Sequence, residues 1–398
     1  MNVPVRLASL LWMLVAAVAQ PDEAPLAVPV EGESFRGRLA AADSATALRF
    51  VVDDAKRELP LADLVTWGTF VEPAQGPVIV FPGRGLLAAD GVQIVAETVH
   101  AESAIFGKIE LPLDLVAGIV LRPPHDRAAG DKLLARVLDR EAQSDRLLLD
   151  NGDLVAGTIA KLARGKAALE TDAGPVEVKS DALVAVLFDP SLVNRPRTDG
   201  LHTVVGFRDG SRLTALAMHA EVERTRIELA GGVTLTAPTS AIVALQVFGG
   251  RVTYLSDLEP VNYRHLPYLQ LPWEYQTDHS VRGAQLRAAG RLYLKGLGMH
   301  SPSRITYDVA PGDRRFEAEV ALDDEVRKRG SVVFRVFVDD GGGKWKPVAA
   351  TEVLRGGDAP QKISVDVENA RRISLLVDFA DRGDELDHAD WLNARFVR

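Results

Sequence analysis

A short pattern of β type recurs along the first 250 residues of the chain, and it limits the fold more than any other feature. The sequence ELPL at 58–61, followed by DLV at 63–65, recurs as ELPL at 110–113 followed by DLV at 114–116. NGDLVAG at 151–157 similarly resembles DGSRLTA at 209–215. Asn-Gly and Asp-Gly between apolar runs favour hairpins, and a repeat of roughly 45 to 60 residues indicates several small β units.

The units are predicted to be small barrels. Each ends in an apolar strand, at residues 183–188 and 242–248 for the two later copies. Four or five twisted strands can close on themselves and leave no exposed edge, and the rhythm resembles that of SH3-like or Sm-like barrels. We place two units in 31–125 and two in 146–250.

A helix is predicted to join the two pairs of units, within a connector at 126–145. Leu133, Leu134, Val137 and Leu138 recur at helical spacing, which predicts a helix over 131–143. Asp131 is the expected N-cap, and the apolar stripe is expected to be a packing face.

The N-terminus has the pattern of an export signal. Arg6 precedes an apolar run at 7–18, and Ala17-Val18-Ala19 forms a small-residue cleavage site. We therefore expect a signal peptide at 1–19 and a flexible leader at 20–30. The run is too short to span a bilayer, so no transmembrane segment is expected after signal removal.

The amino-acid composition limits the cellular compartment and the classes of partner that we expect. The chain has no cysteine, which excludes disulfides and cysteine-ligated metals and fits an exported bacterial protein of the periplasm or the extracellular space. The net charge is −9 and no Lys/Arg-rich tract interrupts it, so no nucleic-acid partner is expected.

The last third of the chain alternates apolar and polar residues in closely spaced runs. Phe316, Ala318, Val320 and Leu322 alternate in this way, and runs at 363–367 and 373–379 do the same. Such runs between Gly/Asp turns predict an antiparallel jelly-roll β-sandwich over 251–398, so the whole chain is expected to be all-β.

Four motifs in this region occur in order. They are YLSDLEPV at 254–261, KGLGMHSPSRITYD at 295–308, GSVVFRVFVDD at 330–340 and DHADW at 387–391. Together they resemble the NPCBM family, whose members are described as carbohydrate-binding modules with a galactose-binding-like fold. The resemblance covers about 251–398 and implies that a polysaccharide or another glycan is the ligand.

The candidate glycan-binding residues combine aromatic rings with polar groups, because sugars stack on flat apolar faces and hydrogen-bond through hydroxyls. A long loop is expected at 257–280, and it carries several aromatic residues. The candidates are Tyr263, Trp273 and Tyr275 in that loop, with Asp257, His300, Asp387 and His388 from the motifs. If the segment is extended, Trp273 and Tyr275 point to the same side.

Structural roles remain open for the same residues. His300 and Asp387 could hold a corner of the sandwich, Trp391 is expected in the core, and the loop aromatics could close one end of the jelly roll.

The sequence contains no motif of an enzyme, so no catalytic residue is assigned. No cofactor is expected. The acidic stretch at 378–387 lacks the spacing of an EF-hand, so solvated turns are the simpler interpretation, with Ca²⁺ as an alternative.

Two functions therefore stay open. One is an exported, non-catalytic carbohydrate-binding protein. The other is an envelope scaffold whose β repeats bind a partner protein, with the sandwich as a structural part. Exposed rings beside polar groups would favour the first, and a flat apolar patch on the repeats would favour the second.

Overall fold

The computed structural model describes residues 23–43, 47–73, 76–163, 165–195, 198–267 and 272–398. The expected signal peptide lies outside the described residues. Within them, the chain is antiparallel β-structure with one α-helix, so the predicted fold class is confirmed. No helix in these ranges is both long enough and apolar enough to cross a bilayer.

The strands of the first half form two successive units. Unit 1 contains β1 Leu26–Pro29, β2 Phe35–Arg36, β3 Arg38–Asp43, β4 Ala47–Val52, β5 Ala55–Pro60 and β6 Leu64–Gly68. Unit 2 contains β7 Val78–Val80, β8 Leu86–Ala88, β9 Gly91–Val95, β10 Thr98–Ser103, β11 Gly107–Pro112 and β12 Gly118–Val120. Because β1 is paired with both β2 and β6, the expected flexible leader is structured over its last residues.

Two further units follow the helix α1, Arg127–Val137. Unit 3 contains β13 Asp145–Leu149, β14 Leu154–Ala163, β15 Lys166–Thr171, β16 Gly174–Lys179 and β17 Leu183–Leu187. Unit 4 contains β18 His202–Phe207, β19 Arg212–Ala220, β20 Arg224–Leu229, β21 Thr234–Pro238 and β22 Ile242–Phe248.

All four described units share one construction. A three-strand meander leads into a one-turn 3₁₀ helix and then a closing strand, which pairs with the strand that opens the unit. The 3₁₀ helices are Leu61–Asp63, Leu113–Leu115, Ser180–Ala182 and Thr239–Ala241. The repeated ELPL sequence therefore marks the end of a meander strand and the turn that follows it.

The units pair in a nested order. Unit 1 joins unit 4 through β3–β19 and β6–β22, and unit 2 joins unit 3 through β9–β14 and β12–β17. One hydrophobic core runs through all four units. The sequence echoes relate units 1 and 2, and units 3 and 4, so similarity along the chain does not predict the spatial partners.

Helix α1 begins earlier than predicted. Its N-cap is Asp126, whose Oδ1 accepts a hydrogen bond from the backbone N–H of Ala129 at 2.8 Å. Asp131, the expected cap, is instead buried inside the helix and binds Arg287. Leu133 and Val137 pack against the β-strands, as expected for a packing face.

The C-terminal region is a sandwich of two sheets. Its strands are β23 Val252–Tyr254, β24 Asn262–His265, β25 Gln276–Thr277, β26 Leu286–Ala288, β27 Arg291–Tyr293, β28 Gly296–His300, β29 Ser303–Asp308, β30 Arg315–Leu322, β31 Ser331–Asp339, β32 Lys346–Ala350, β33 Leu354–Arg355, β34 Gln361–Asp366, β35 Arg372–Phe379 and β36 His388–Val397. The segment expected as one long loop thus contains β24 and β25.

One sheet has the order β25-β28-β36-β30-β34, with β23 also on β36. The other has the order β24-β29-β35-β31-β32, with β33 also on β31. The core between them includes Trp391, which is fully buried and lies edge-on to Phe334 at 5.1 Å. The alternating residues of β30 are buried as predicted, but Phe379 at the end of β35 is 47% exposed.

The sandwich packs directly on the repeat units. A shared apolar cluster contains Phe70 and Phe248 from the repeats with Tyr254 and Leu292 from the sandwich. At the junction, a Cβ on Gly249 would lie 2.0 Å from the carbonyl oxygen of Gly200, and its φ is +69°. The junction is therefore a close-packed turn that only glycine fits.

Buried charges reinforce this interface. Arg287, on the sandwich, donates to both oxygens of Asp131 on α1, at 2.6 and 2.9 Å, and also pairs with Glu72. Gln285 donates to Asp131 at 2.8 Å and accepts from Arg212 at 2.7 Å. The Arg287 and Asp131 side chains are 8% and 5% exposed, so each needs the other as a partner.

Candidate functional site

Strand β28, within the KGLGMHSP sequence, leads to the candidate site. A Cβ on Gly298 would come within 2.4 Å of the His279 carbonyl oxygen and the Val281 nitrogen. The loop at 279–281 therefore lies directly on the strand, and glycine is required for this close approach. The strand ends at His300, which pairs with His388 of β36.

Trp273 and His300 form a stacked pair at this end of the sandwich. Their ring centroids are 4.7 Å apart and the ring planes differ by 5°. His300 is buried, whereas Trp273 is half-buried. His265 and His388 both lie 5.7 Å from the His300 ring, and His388 lies 5.8 Å from Trp273. We call these four residues the Trp–His cluster.

Hydrogen bonds fix the rings of the cluster. His300 Nδ1 lies 2.8 Å from the Ser301 carbonyl oxygen, which can only accept, so Nδ1 carries the proton and donates. His265 Nδ1 accepts from the Trp273 backbone N–H at 3.1 Å. Burial lowers the pKa of His300, so the neutral ring with Nε2 as an acceptor is favoured.

His388 is held from outside the cluster. Its Nδ1 lies 2.5 Å from Oε1 of Glu325, a residue of the 3₁₀ helix Asp324–Val326. This contact orients the imidazole toward Trp273 and His300, since the carboxylate accepts from Nδ1.

Asp387 lies beneath the cluster and is fully buried. Its Oδ2 accepts from the Ser301 hydroxyl at 2.5 Å, and its Oδ1 accepts from the Ser331 backbone N–H at 2.8 Å. Both oxygens thus contact protein donors, and the residue anchors the turn that follows His300. Burial raises the pKa of Asp387 to about 6.

Two more acidic residues are buried near this end of the sheet. Burial, with the nearby Asp323 carboxyl, raises the pKa of Asp390 well above its usual range. Burial also raises the pKa of Asp323 to about 6, against the effect of hydrogen bonds from the Glu325 and Arg287 backbone N–H groups.

The two loop tyrosines hold the backbone of Trp273 in place, Tyr263 directly and Tyr275 by packing on Tyr263. The Tyr263 hydroxyl donates to the Trp273 carbonyl oxygen at 2.7 Å, and its ring lies 5.0 Å from the Tyr275 ring. Both tyrosines are half-buried against the sandwich core. Trp273 contacts histidines and Tyr275 contacts Tyr263, so the two residues have different ring partners.

Comparison with known proteins gives this region a family. Residues 251–397 match the family described as the NPCBM/NEW2 domain. We refer to this matching C-terminal region as the NPCBM domain. This match leaves the four repeat units outside it.

Two curated proteins are similar to part of the chain. One, named as an endo-alpha-N-acetylgalactosaminidase from Renibacterium salmoninarum, is 33% identical over 115 residues, which are 29% of this chain and 7% of that protein. The other, alpha-1,3-galactosidase B from Akkermansia muciniphila, is 33% identical over 124 residues, which are 30% of this chain and 15% of that protein. The chain thus spans a small part of either relative.

Solved structures of carbohydrate-binding modules are also similar. CBM51 from Clostridium perfringens GH95, in complex with methyl-galactose, is 25% identical, with 37% of this chain and 99% of that chain covered and a TM-score of 0.32. CBM51-2 with the INT domains of Clostridium perfringens ZmpB is 28% identical, with 46% and 37% covered and a TM-score of 0.33.

One candidate residue lies elsewhere in the NPCBM domain. Asp257 is exposed and binds Lys295 Nζ at 2.6 Å, at the opposite end of β28 from His300. Five residues of extended chain separate the two ends, or about 16 Å. The structure therefore does not bring Asp257 to the Trp–His cluster.

The acidic stretch considered for Ca²⁺ is largely paired with arginines. Asp381 accepts from Arg355 at 2.7 Å, and Asp378 lies 3.7 Å from Arg335. In the described ranges, no three His, Asp or Glu side chains are grouped so that they could hold a metal ion.

Sequence reasoning missed His265 and Glu325 as members or supports of the cluster. His265 lies among the aromatic residues of the loop, so it could have been grouped with them from the sequence. Glu325 follows two aspartates in a turn, and nothing local in the sequence relates it to His388, 63 residues later.

Proposed function

We propose that this is an exported, non-catalytic carbohydrate-binding protein whose NPCBM domain binds a glycan against Trp273. The observation that carries the proposal is the half-buried Trp273 ring, stacked at 4.7 Å on the buried His300. A sugar would stack on the part of the indole that the protein leaves uncovered.

The arrangement suits sugar recognition because it is rigid before the ligand arrives. The Trp273 backbone is hydrogen-bonded by His265 and Tyr263, so the ring loses little freedom on binding. Neutral His300 offers Nε2 as an acceptor for a hydroxyl, close to the flat apolar ring. A platform with one acceptor beside it is the usual composition of a sugar site.

The proposal divides the candidate residues by role. Trp273 contacts the sugar, and His300 and His388 lie beside it. His265, Tyr263, Tyr275, Asp387 and Glu325 position the contact residues. Asp257 has no part in this site.

We also propose that the protein acts in the bacterial periplasm or outside the cell, which the signal-like pattern at 1–19 supports. A glycan is accessible to a protein there. An envelope protein as a further partner of the repeat units stays a proposal from sequence.

Replacing Trp273 tests the proposed site. A glycan screen of the full chain should begin with terminal galactose and N-acetylgalactosamine, the sugars named in the two curated relatives. For a glycan bound by the wild type, Trp273→Ala should weaken affinity by about 1 to 3 kcal/mol, or about 5- to 150-fold in Kd by calorimetry. Trp273→Phe keeps a stacking face and should lose less.

Trp345 provides the matched control. It is also a tryptophan of the NPCBM domain, is 38% exposed and lies next to β32. Trp345→Ala should leave Kd unchanged. Equal losses in the two alanine variants, or none in either, would place the glycan away from Trp273.

A further inference from the structure

A pocket of about 240 Å³ opens on the repeat units, away from the Trp–His cluster. The β7–β8 turn forms one wall, and strands of unit 4 provide a floor that includes Val204, Leu213 and Leu229. Arg140, which follows α1, and Arg195, which follows unit 3, complete the lining. The pocket lies between units that are joined within one chain, so its shape does not depend on a second copy.

The charge of this pocket is opposite to that of the whole protein. The chain carries a net charge of −9, yet the described lining includes three arginines and His202 and no Asp or Glu. Arg84 is neutralised by Asp278. Arg140 and Arg195 form neither an ion pair nor a hydrogen bond with any described residue, so no described side chain neutralises either charge by direct contact.

One donor of Arg195 is also unpaired within the described residues. Its Nε is buried and makes no hydrogen bond in the described part of the chain. Buried donors are almost always paired, and an unpaired one destabilises the folded state. Burial and, next, the charge of Arg140 lower the pKa of Arg195, which reflects the same lack of an anionic partner.

We propose that this pocket binds an oxyanion, a carboxylate, sulfate or phosphate group, between Arg140 and Arg195. A guanidinium presents its N–H donors in a planar fork that matches two oxygens of such a group. The hydroxyls of Thr198 and Thr214 also line the pocket and can donate to the remaining oxygens. The apolar floor leaves room for the organic part of a larger anion.

The two cations explain why an anion, and not a neutral sugar, is the expected ligand. Arg195 is half-buried and Arg140 is exposed. The two like charges repel each other, and an anion between them converts this repulsion into two favourable contacts. A neutral ligand would leave the repulsion in place.

The test measures anion binding by the full-length protein with calorimetry at constant ionic strength. Sodium sulfate is the first probe, glucuronate and glucose 6-sulfate are the sugar-borne anions, and glucose is the neutral control. Arg195→Gln should weaken sulfate binding at least tenfold. Arg136→Gln changes an exposed arginine on α1 that does not line the pocket, so it should bind as the wild type does.

A second measurement separates a binding role from a structural one. In buffer without oxyanions, the melting temperature of Arg195→Gln should be no lower than that of the wild type, because the substitution removes a repelling charge. Adding sulfate should raise the melting temperature of the wild type and leave that of the variant unchanged. If a sugar-borne anion binds more tightly than sulfate, the oxyanion that the pocket recognises is a substituent on a glycan. If sulfate binds more tightly, the pocket recognises a free anion. The proposal is overturned if both proteins bind all three anions equally, or if neither binds any.

Discussion

Strand β28 starts beside Lys295 and ends at His300, and its two ends bury polar side chains by different means. At the first end, Lys295 Nζ is fully buried between Asp278 at 2.9 Å and Asp257 at 2.6 Å, and Arg84 pairs with Asp278 as well. At the second end, rings stack and Asp387 has only neutral donors. The first end joins the NPCBM domain to the repeats, whereas the ring and hydrogen-bond partners described at the second end all belong to the NPCBM domain.

The carboxylates at the two ends respond oppositely. Burial alone would raise the pKa of Asp278, but Arg84 and Lys295 outweigh it and lower the pKa. Asp387 has no cation in hydrogen-bond contact, so burial raises its pKa to about 6. Charge pairs therefore stabilise the interface end of β28. At the cluster end, the rings are held rigidly, but the buried carboxylate of Asp387 is destabilised in its charged form.

The largest effect is expected when the interface is removed. A fragment of residues 251–398 loses Asp131 and Glu72 as partners of Arg287 and exposes Tyr254 and Leu292. In the fragment Arg287 can be solvated, so the main loss is apolar burial, at about 1.5 to 3 kcal/mol for each side chain left exposed, and the fragment should melt about 10 °C or more below the full chain. Near-ultraviolet circular dichroism should still report an ordered Trp–His cluster. Equal melting temperatures would mean that the interface adds no stability.

Asp278→Ala should have the next largest effect. It leaves Lys295 buried with a single, exposed partner and costs about 3 to 5 kcal/mol in the free energy of unfolding. Asp257→Ala removes the other partner of the same lysine, and because Asp257 is 52% exposed, that loss should stay below about 1 kcal/mol. Denaturant unfolding of both variants checks the difference. Similar losses would show that burial does not distinguish the two pairs.

The smallest effect concerns pH at the cluster end. A carboxyl whose folded pKa is about 6, against about 3.9 unfolded, loses stability as pH rises from about 4 to 6. Asp387→Asn keeps an acceptor for Ser331 and cannot ionise. The stability of this variant relative to the wild type should therefore increase by about 1 to 2 kcal/mol across this window, less than full linkage because the titration is incomplete at both ends of it.

The comparison with Asn is made pH by pH because other groups titrate nearby. Asp323 shifts in the same direction as Asp387, whereas the lowered pKa of His300 makes the fold less stable as pH falls below about 6.5. These contributions cancel in the difference between variant and wild type. A difference that does not change with pH would argue against a raised pKa at Asp387.

The sequence predicted those features that depend on local pattern. The recurring ELPL and DLV sequences predicted repeated small β units, because the strand and turn preferences of these residues act over a few positions, and each ELPL copy lies where a meander strand meets a 3₁₀ turn. The alternation in β30 anticipated its buried face for the same reason. Trp391 was correctly expected in the core.

Features that depend on distant partners were not predictable. Asp131 is of a residue type that often caps helices, but its carboxylate accepts hydrogen bonds from Arg287, 156 residues later. Asp126 is the N-cap instead. Trp273 was a candidate contact residue of the loop with a structural role left open, and its stacking on His300 depends on how β28 meets the loop. Lys295 stands in the most conspicuous motif, yet only the fold shows that it is fully buried.

The nested pairing of the repeat units has a consequence for the order in which the chain can fold. Units 2 and 3 are neighbours in sequence and can close on each other as soon as both have been synthesised. The closing strand of unit 1, β6, must wait for β22, whose pairing begins about 180 residues later, at Gln246 with Thr66. Until then β6 keeps an unpaired edge, which is open to strands of other chains. Delay or truncation before residue 242 should therefore favour aggregation through unit 1.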